Sequence, residues 1–197
     1  MRALPAPDFW EVPWPEGYMC LVSDDGTPLA TALTEALIAR GRRVVLWSPA
    51  SDPAQIASIL EMHGPVAAFI HLNPPGDGAL FSADDEARLK HVFLLAGRLK
   101  TTLTESAQRG WAAWLTITQL DGAFGLTGKG SPVAGGFFGL TKTLALEWPE
   151  VHCRAVDLAP DLSVERAVAL ILAELHDPNR RLVEVGWSAA GRVTIEA

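Results

Sequence analysis

The chain has 197 residues, 49% of them hydrophobic, enough for one well-filled core and too few for two typical domains. Its net charge is -7, and its 16 Lys and Arg residues are scattered rather than clustered, which argues against a nucleic-acid partner. No apolar run approaches the roughly 18 residues of a membrane helix and no basic-then-apolar leader opens the sequence, so a soluble, cytoplasmic protein without membrane contact is expected.

Residues 1–17 carry four prolines and two tryptophans and read as an extended lead-in able to pair as an edge strand. A single unit over 18–197 follows. Tyr18 to Ser23 is a continuous apolar strand, and Leu29, Leu33, Ala36 and Leu37 recur at helical spacing. Thr27 is placed to cap that helix with Pro28 at its first position, and Gly41 stops it before a second strand, Arg43 to Trp47. A short helix from Pro53 to Met62, a strand from Val66 to Leu72 and a Pro/Gly loop from Asn73 to Gly78 come next. Ser82 and Asp85 can form a capping box for a long helix whose apolar stripe is Leu89, Val92, Phe93, Ala96, Leu99 and Leu103, a stripe that requires a partner surface. Beyond Gly110 the pattern gives a strand from Trp111 to Ile117, a helix from Phe137 to Trp148, a strand from His152 to Leu158 and a helix from Val164 to Leu175. Leu182 to Gly186 and Arg192 to Ile195 close as short strands about a turn. Alternation of this kind predicts an α/β fold: a truncated Rossmann-like, doubly wound, mainly parallel sheet with helices on both faces. Cys20 and Cys153 lie in apolar runs and read as buried free thiols.

In such a fold the first strand-to-helix turn is where a pyrophosphate is cradled. Laying Ser23 to Ala30 on the Thr-Gly-x-x-x-Gly-x-Gly turn of short-chain dehydrogenases puts Asp24, Pro28 and Ala30 where the three glycines belong. Side chains there block close backbone approach, Pro28 lacks an N–H, and Asp24 sets a carboxylate against a phosphate. A solvated helix-capping turn is the better reading. Gly139-Leu140-Thr141-Lys142-Thr143-Leu144-Ala145-Leu146-Glu147 resembles the end of the active-site helix of the same family, Tyr-x-x-x-Lys, four residues, then Gly-Leu-x-(Lys/Arg)-x-Leu-Ala-x-Glu. This register puts Gly130 at the tyrosine position and Ala134 at the lysine position, so both catalytic groups are missing. Thr116 or Thr118 lies near the family's serine. Lys129, Lys142 and His71 remain as candidate acid–base or anion-contacting groups, though solvated lysines and a structural histidine are the commoner outcome. The five histidines have no metal-ligand spacing, and neither a Gly-x-Ser-x-Gly elbow nor a Cys-x-x-Cys pair is present. No catalytic, cofactor or metal residue is therefore assigned.

A dehydrogenase-like fold without its site resembles the structural, non-catalytic subdomain of ketoreductase domains in polyketide synthases and polyunsaturated fatty-acid synthases. The likeness is best from Ser131 to Ala159 and includes Glu147-Trp148-Pro149-Glu150, Cys153 to Leu158, and Glu184 to Trp187. The Asp24 to Leu29 turn and Phe69-Ile70-His71-Leu72 look closer to the polyunsaturated fatty-acid type. The resemblance implies an inactive subdomain that docks, through the Leu89 to Leu103 helix and the sheet edges, on a catalytic subdomain holding NADPH, Ser, Tyr and Lys. Acyl carrier protein would be met only indirectly. Two other readings stay open: a stand-alone module binding an acyl, phosphopantetheine or nucleotide ligand, and an unorthodox dehydrogenase using Lys129, Lys142 or His71.

Overall fold

The computed structural model describes residues 1–48, 55–74, 82–128 and 132–196. Within them the elements run β1 (Arg2–Leu4), β2 (Met19–Ser23), α1 (Pro28–Ile38), β3 (Val44–Trp47), α2 (Gln55–His63), β4 (Val66–Leu72), α3 (Ala83–Gln108), β5 (Ala113–Thr118), α4 (Val133–Glu147), β6 (His152–Leu158), α5 (Val164–Leu175), β7 (Glu184–Ser188) and β8 (Gly191–Thr194). They form one eight-stranded sheet in the order β1-β8-β7-β6-β5-β4-β2-β3. The pairs from β3 through β7 are parallel, and β8 runs antiparallel to both β7 and β1. The chain leaves β2 toward β3 on one side and returns to β4 on the other. The strand order thus reverses between β2 and β4, the place where an open α/β sheet leaves a crevice.

Residues of β2, β4, β5 and β6 are buried on both faces because helices cover both, which is why β2, β4 and β5 read as mostly apolar runs, whereas β6 also buries His152, Arg154 and Asp157. On one face α1 and α5 bring Leu29, Leu33, Leu37, Ile171 and Leu175 onto Cys20, Val22, Ile70, Leu115 and Val156. On the other, α2, α3 and α4 bring Ile56, Val92, Leu95, Leu99, Phe137 and Leu144 onto Leu21, Phe69 and Trp114. Each buried Leu or Phe contributes about 1.5 to 3 kcal/mol by leaving water, so these two layers carry the fold. Cys20 and Cys153 are free and buried, and burial raises both thiol pKa values, that of Cys153 to about 12.

Several expectations are adjusted. The lead-in does pair, but through Arg2–Leu4 on β8 rather than through its apolar pieces. Ser82 and Asp85 do form the capping box of α3. Thr27 stands at the N-cap of α1 with Pro28 behind it, yet its side chain does not cap. Helix α4 begins at Val133, four residues before its apolar signal, and α2 is described from Gln55, so Pro53 lies outside the described residues, as does the loop beyond residue 74. The stripe of α3 is covered by the chain's own sheet, with Val92, Leu95, Ala96, Leu99 and Leu103 buried. Phe93 is not part of that stripe; it is 62% exposed on the outer side of α3. Among the described residues no helix is long and apolar enough to cross a membrane.

Candidate functional site

The turn after β2 is closed by its own carboxylates. Asp24 Oδ1 accepts the Gly26 N–H at 2.9 Å, and Asp25 Oδ1 accepts the Thr27 N–H at 3.0 Å and its hydroxyl at 2.6 Å. Gly26 sits at φ +75°, the left-handed conformation that lets the chain fold back so tightly. In phosphate-binding turns such N–H groups point at the anion. Here two side-chain anions hold them, and Ala30 is buried at the position where the third family glycine would admit backbone. These residues do not fit a dinucleotide pyrophosphate.

Beside this turn, at the reversal between β2 and β4, lies a buried polar pair. Ser23 Oγ is 3.2 Å from His71 Nδ1 and accepts the Leu72 N–H at 2.7 Å. Phe137 packs its ring 4.6 Å from the imidazole, and His71 Nε2 has no hydrogen-bond partner among the described residues. Desolvation, followed by the nearby Arg88 charge, lowers the His71 pKa to about 3. The imidazole is neutral at physiological pH and sealed from solvent, which suits a packing role better than proton exchange with a substrate.

One strand further, Thr116 is the register partner of His71, and its hydroxyl meets that of Thr141 at 2.8 Å while Thr141 also donates to Phe137 O. Thr118, the other candidate at the family's serine position, donates to Asp157 Oδ1 at 3.1 Å. Ala134, at the lysine position, is buried in the first turn of α4. A lysine there would have to bury its stem and ammonium. Lys142 is half-exposed and pairs with Glu184 at 3.1 Å, tying α4 to the start of β7. Lys129 and Gly130 lie outside the described residues.

Two arrangements had only faint sequence signals. The first is the Asp157 and Asp121 pair that shapes the loop after β5. Asp157 accepts N–H groups of Leu120 and Phe124, each at 2.8 Å, and burial raises its pKa. Asp121 accepts N–H groups of Ala123, Gly125 and Thr127. Against its desolvation, these bonds and the Thr127 hydroxyl hold Asp121 down at about 2. The second is a buried ionic cluster at the opposite end of the sheet. Arg154 reaches Glu174 at 2.6 Å and Asp177 at 3.2 Å, and Arg192 reaches the same two carboxylates at 2.8 and 2.5 Å. Trp187 Nε1 donates to Glu174, and Arg192 also donates to Pro5 O, so the cluster fastens β6, α5, β8 and the lead-in together. Its sequence signal was Arg154 inside a strand and Glu174 inside a helix face that are otherwise apolar.

No family model matches the chain. In sequence it is 30% identical, over 209 aligned positions and 93% of its length, to a polyunsaturated fatty acid synthase subunit of Thraustochytrium sp.. The chain spans 7% of the length of that relative. Among solved structures it is similar to the TT0495 protein of Thermus thermophilus, with a TM-score of 0.65 and 19% identity over 86% of this chain and 97% of that one. It is also similar to a short-chain dehydrogenase of Leptospira borgpetersenii holding NAD+, with a TM-score of 0.65 and 11% identity over 85% and 89% of the two chains. By fold the chain is thus a short-chain-dehydrogenase-like α/β module, and by sequence it is related to a segment of a polyunsaturated fatty-acid synthase.

Proposed function

We propose that this module is non-catalytic and docks on an NADPH-dependent ketoreductase catalytic subdomain of a fatty-acid or polyketide synthase, stabilising it rather than reacting. The observation that carries this reading is the turn after β2, where Asp24 and Asp25 take up the N–H groups that would otherwise face a phosphate. Support also comes from the site positions: a buried Ala134 in place of a lysine and Thr116 and Thr118 hydroxyls already engaged within the fold.

The docking face we assign is the groove between the outer sides of α3 and α4. Leu89, Phe93, Gly136 and Leu140 line it, and it continues past Leu94 and Gly97 toward Trp148. Phe93 and Leu94 are more than half exposed, and nothing within 4 Å fills the space a Cβ on Gly97 would take. A helix-interior glycine costs about 1 kcal/mol relative to alanine. Close approach by a partner backbone accounts for that cost. The occupant we assign is the catalytic subdomain; that the chain matches a small segment of a much longer synthase polypeptide supports a neighbour within the same assembly.

Sedimentation of this chain with the catalytic ketoreductase subdomain of its parent synthase tests the reading. A one-to-one complex is expected, weakened about tenfold or more by Phe93→Glu, a surface change that leaves the fold intact. Absence of a complex, or a complex indifferent to Phe93→Glu, would overturn the docking assignment.

A further inference from the structure

At the amino ends of β5 and β6 the lead-in is held by aromatic contacts. Trp14 stacks on Trp111 with centroids 4.5 Å apart, Phe9 packs on His176 at 5.1 Å, and the Trp10 N–H donates to His176 O at 3.0 Å. Between them is a cavity of about 170 Å³ whose walls include Trp10, Trp111, His152, Leu175, His176 and Arg180. Cavities near 150 Å³ take up a single benzene ring.

The wall chemistry narrows the occupant. Trp10 is 68% exposed, its backbone N–H is bonded to His176 O, and its indole borders the cavity with no partner ring among the described residues. The Arg180 guanidinium donates Nη1 to Glu150 O and makes no ion pair among the described residues. Asp177, also in the wall, has its carboxylate committed to Arg154, Arg192 and the Asn179 N–H. His176 Nδ1 is buried without a partner among the described residues, and His152 Nε2 is 3.0 Å from Glu174 O. Desolvation lowers the pKa of His176 to about 4 and of His152 to about 3, so both rings are neutral. Among the described residues, the uncompensated charge on the wall is the Arg180 cation.

We propose that this cavity is a binding site for a single-ring aromatic carboxylate, the ring lying against Trp10 and the edge of Trp111, whose faces are taken by Trp14 and His176, and the carboxylate on Arg180. Nothing in this inference depends on the docking role, and its failure would leave that role untouched.

Calorimetric titration of the chain with sodium benzoate tests it, with benzyl alcohol and cyclohexanecarboxylate as matched probes lacking the charge or the aromatic face. Saturable benzoate binding with Kd near or below about 1 mM is expected, at least about fivefold tighter than either probe. Arg180→Gln and Trp10→Ala should each weaken it about tenfold, while Phe93→Glu leaves it unchanged. Circular dichroism checks that the variants are folded; the ranking of the three probes on the unaltered chain stands without them. No saturation by about 10 mM benzoate, equal affinity for the three probes, or indifference to both cavity substitutions would overturn the proposal.

Discussion

Asp25 Oδ1 accepts both the N–H and the hydroxyl of Thr27, at 3.0 and 2.6 Å, in the turn where a dinucleotide-binding sheet presents free N–H groups to phosphate. A phosphate entering there would have to break these bonds and approach two carboxylates. One strand over, Ser23 Oγ and His71 Nδ1 lie 3.2 Å apart at the strand-order reversal, while His71 Nε2 has no partner among the described residues.

The ionic cluster at the other end of the sheet holds the closing hairpin. Glu174 is fully buried and accepts from Arg154, Trp187 and Arg192, so Glu174→Gln leaves two buried guanidiniums facing one carboxylate. A loss of about 3 to 5 kcal/mol in urea unfolding is expected. A loss under about 1 kcal/mol would mean that solvent already screens the cluster.

Stability should fall as pH drops below neutrality. His71 and His152 are held near 3 and His176 near 4 in the folded chain, chiefly by desolvation, against 6.5 for an exposed imidazole. Between those values the unfolded chain binds protons that the folded chain refuses, so stability is complete above pH 6.5 and declines toward pH 3. Each histidine removes up to about 1.4 kcal/mol per pH unit in that window, or roughly 2 kcal/mol between pH 7 and 5. Asp157, with its raised pKa, works in the opposite sense. Urea unfolding at pH 7 and pH 5 should show the loss, and His71→Leu should remove about a third of it; an unchanged difference in that variant would contradict the assignment.

Gly122 and Gly186 mark a place where two backbone segments touch. A Cβ on Gly122 would lie 2.2 Å from Trp187 O, and its φ is +68°. Gly122→Ala should therefore cost about 2 kcal/mol or more, combining backbone strain with a steric clash, and should lower Tm by several degrees. An alanine variant as stable as the parent would show that the loop after β5 is not anchored on β7.

The layered sheet was readable because its inner strands β2, β4 and β5 are mostly apolar and its helices carry capping signals such as Ser82 with Asp85. Boundaries were less so: α4 starts at Val133, where a Gly-rich first turn carries little periodic signal. The assignment of Gly130 and Ala134 to the family's tyrosine and lysine positions rests on the sequence register alone, and Gly130 lies outside the described residues. The internal pairings could not be read from the sequence, because Ser23 and His71 are 48 residues apart and Thr118 and Asp157 are 39 apart. Phe93 was misread for a related reason: helical spacing places it near the stripe, but the sheet selects Val92, Leu95 and Leu99 and leaves Phe93 outside.

Titration of the isolated chain with NADPH, paired with a reductase assay on a β-ketoacyl thioester, tests the central claim most directly. The account predicts no saturable cofactor binding up to about 1 mM and no turnover. Micromolar NADPH affinity together with reduction of the thioester would contradict it.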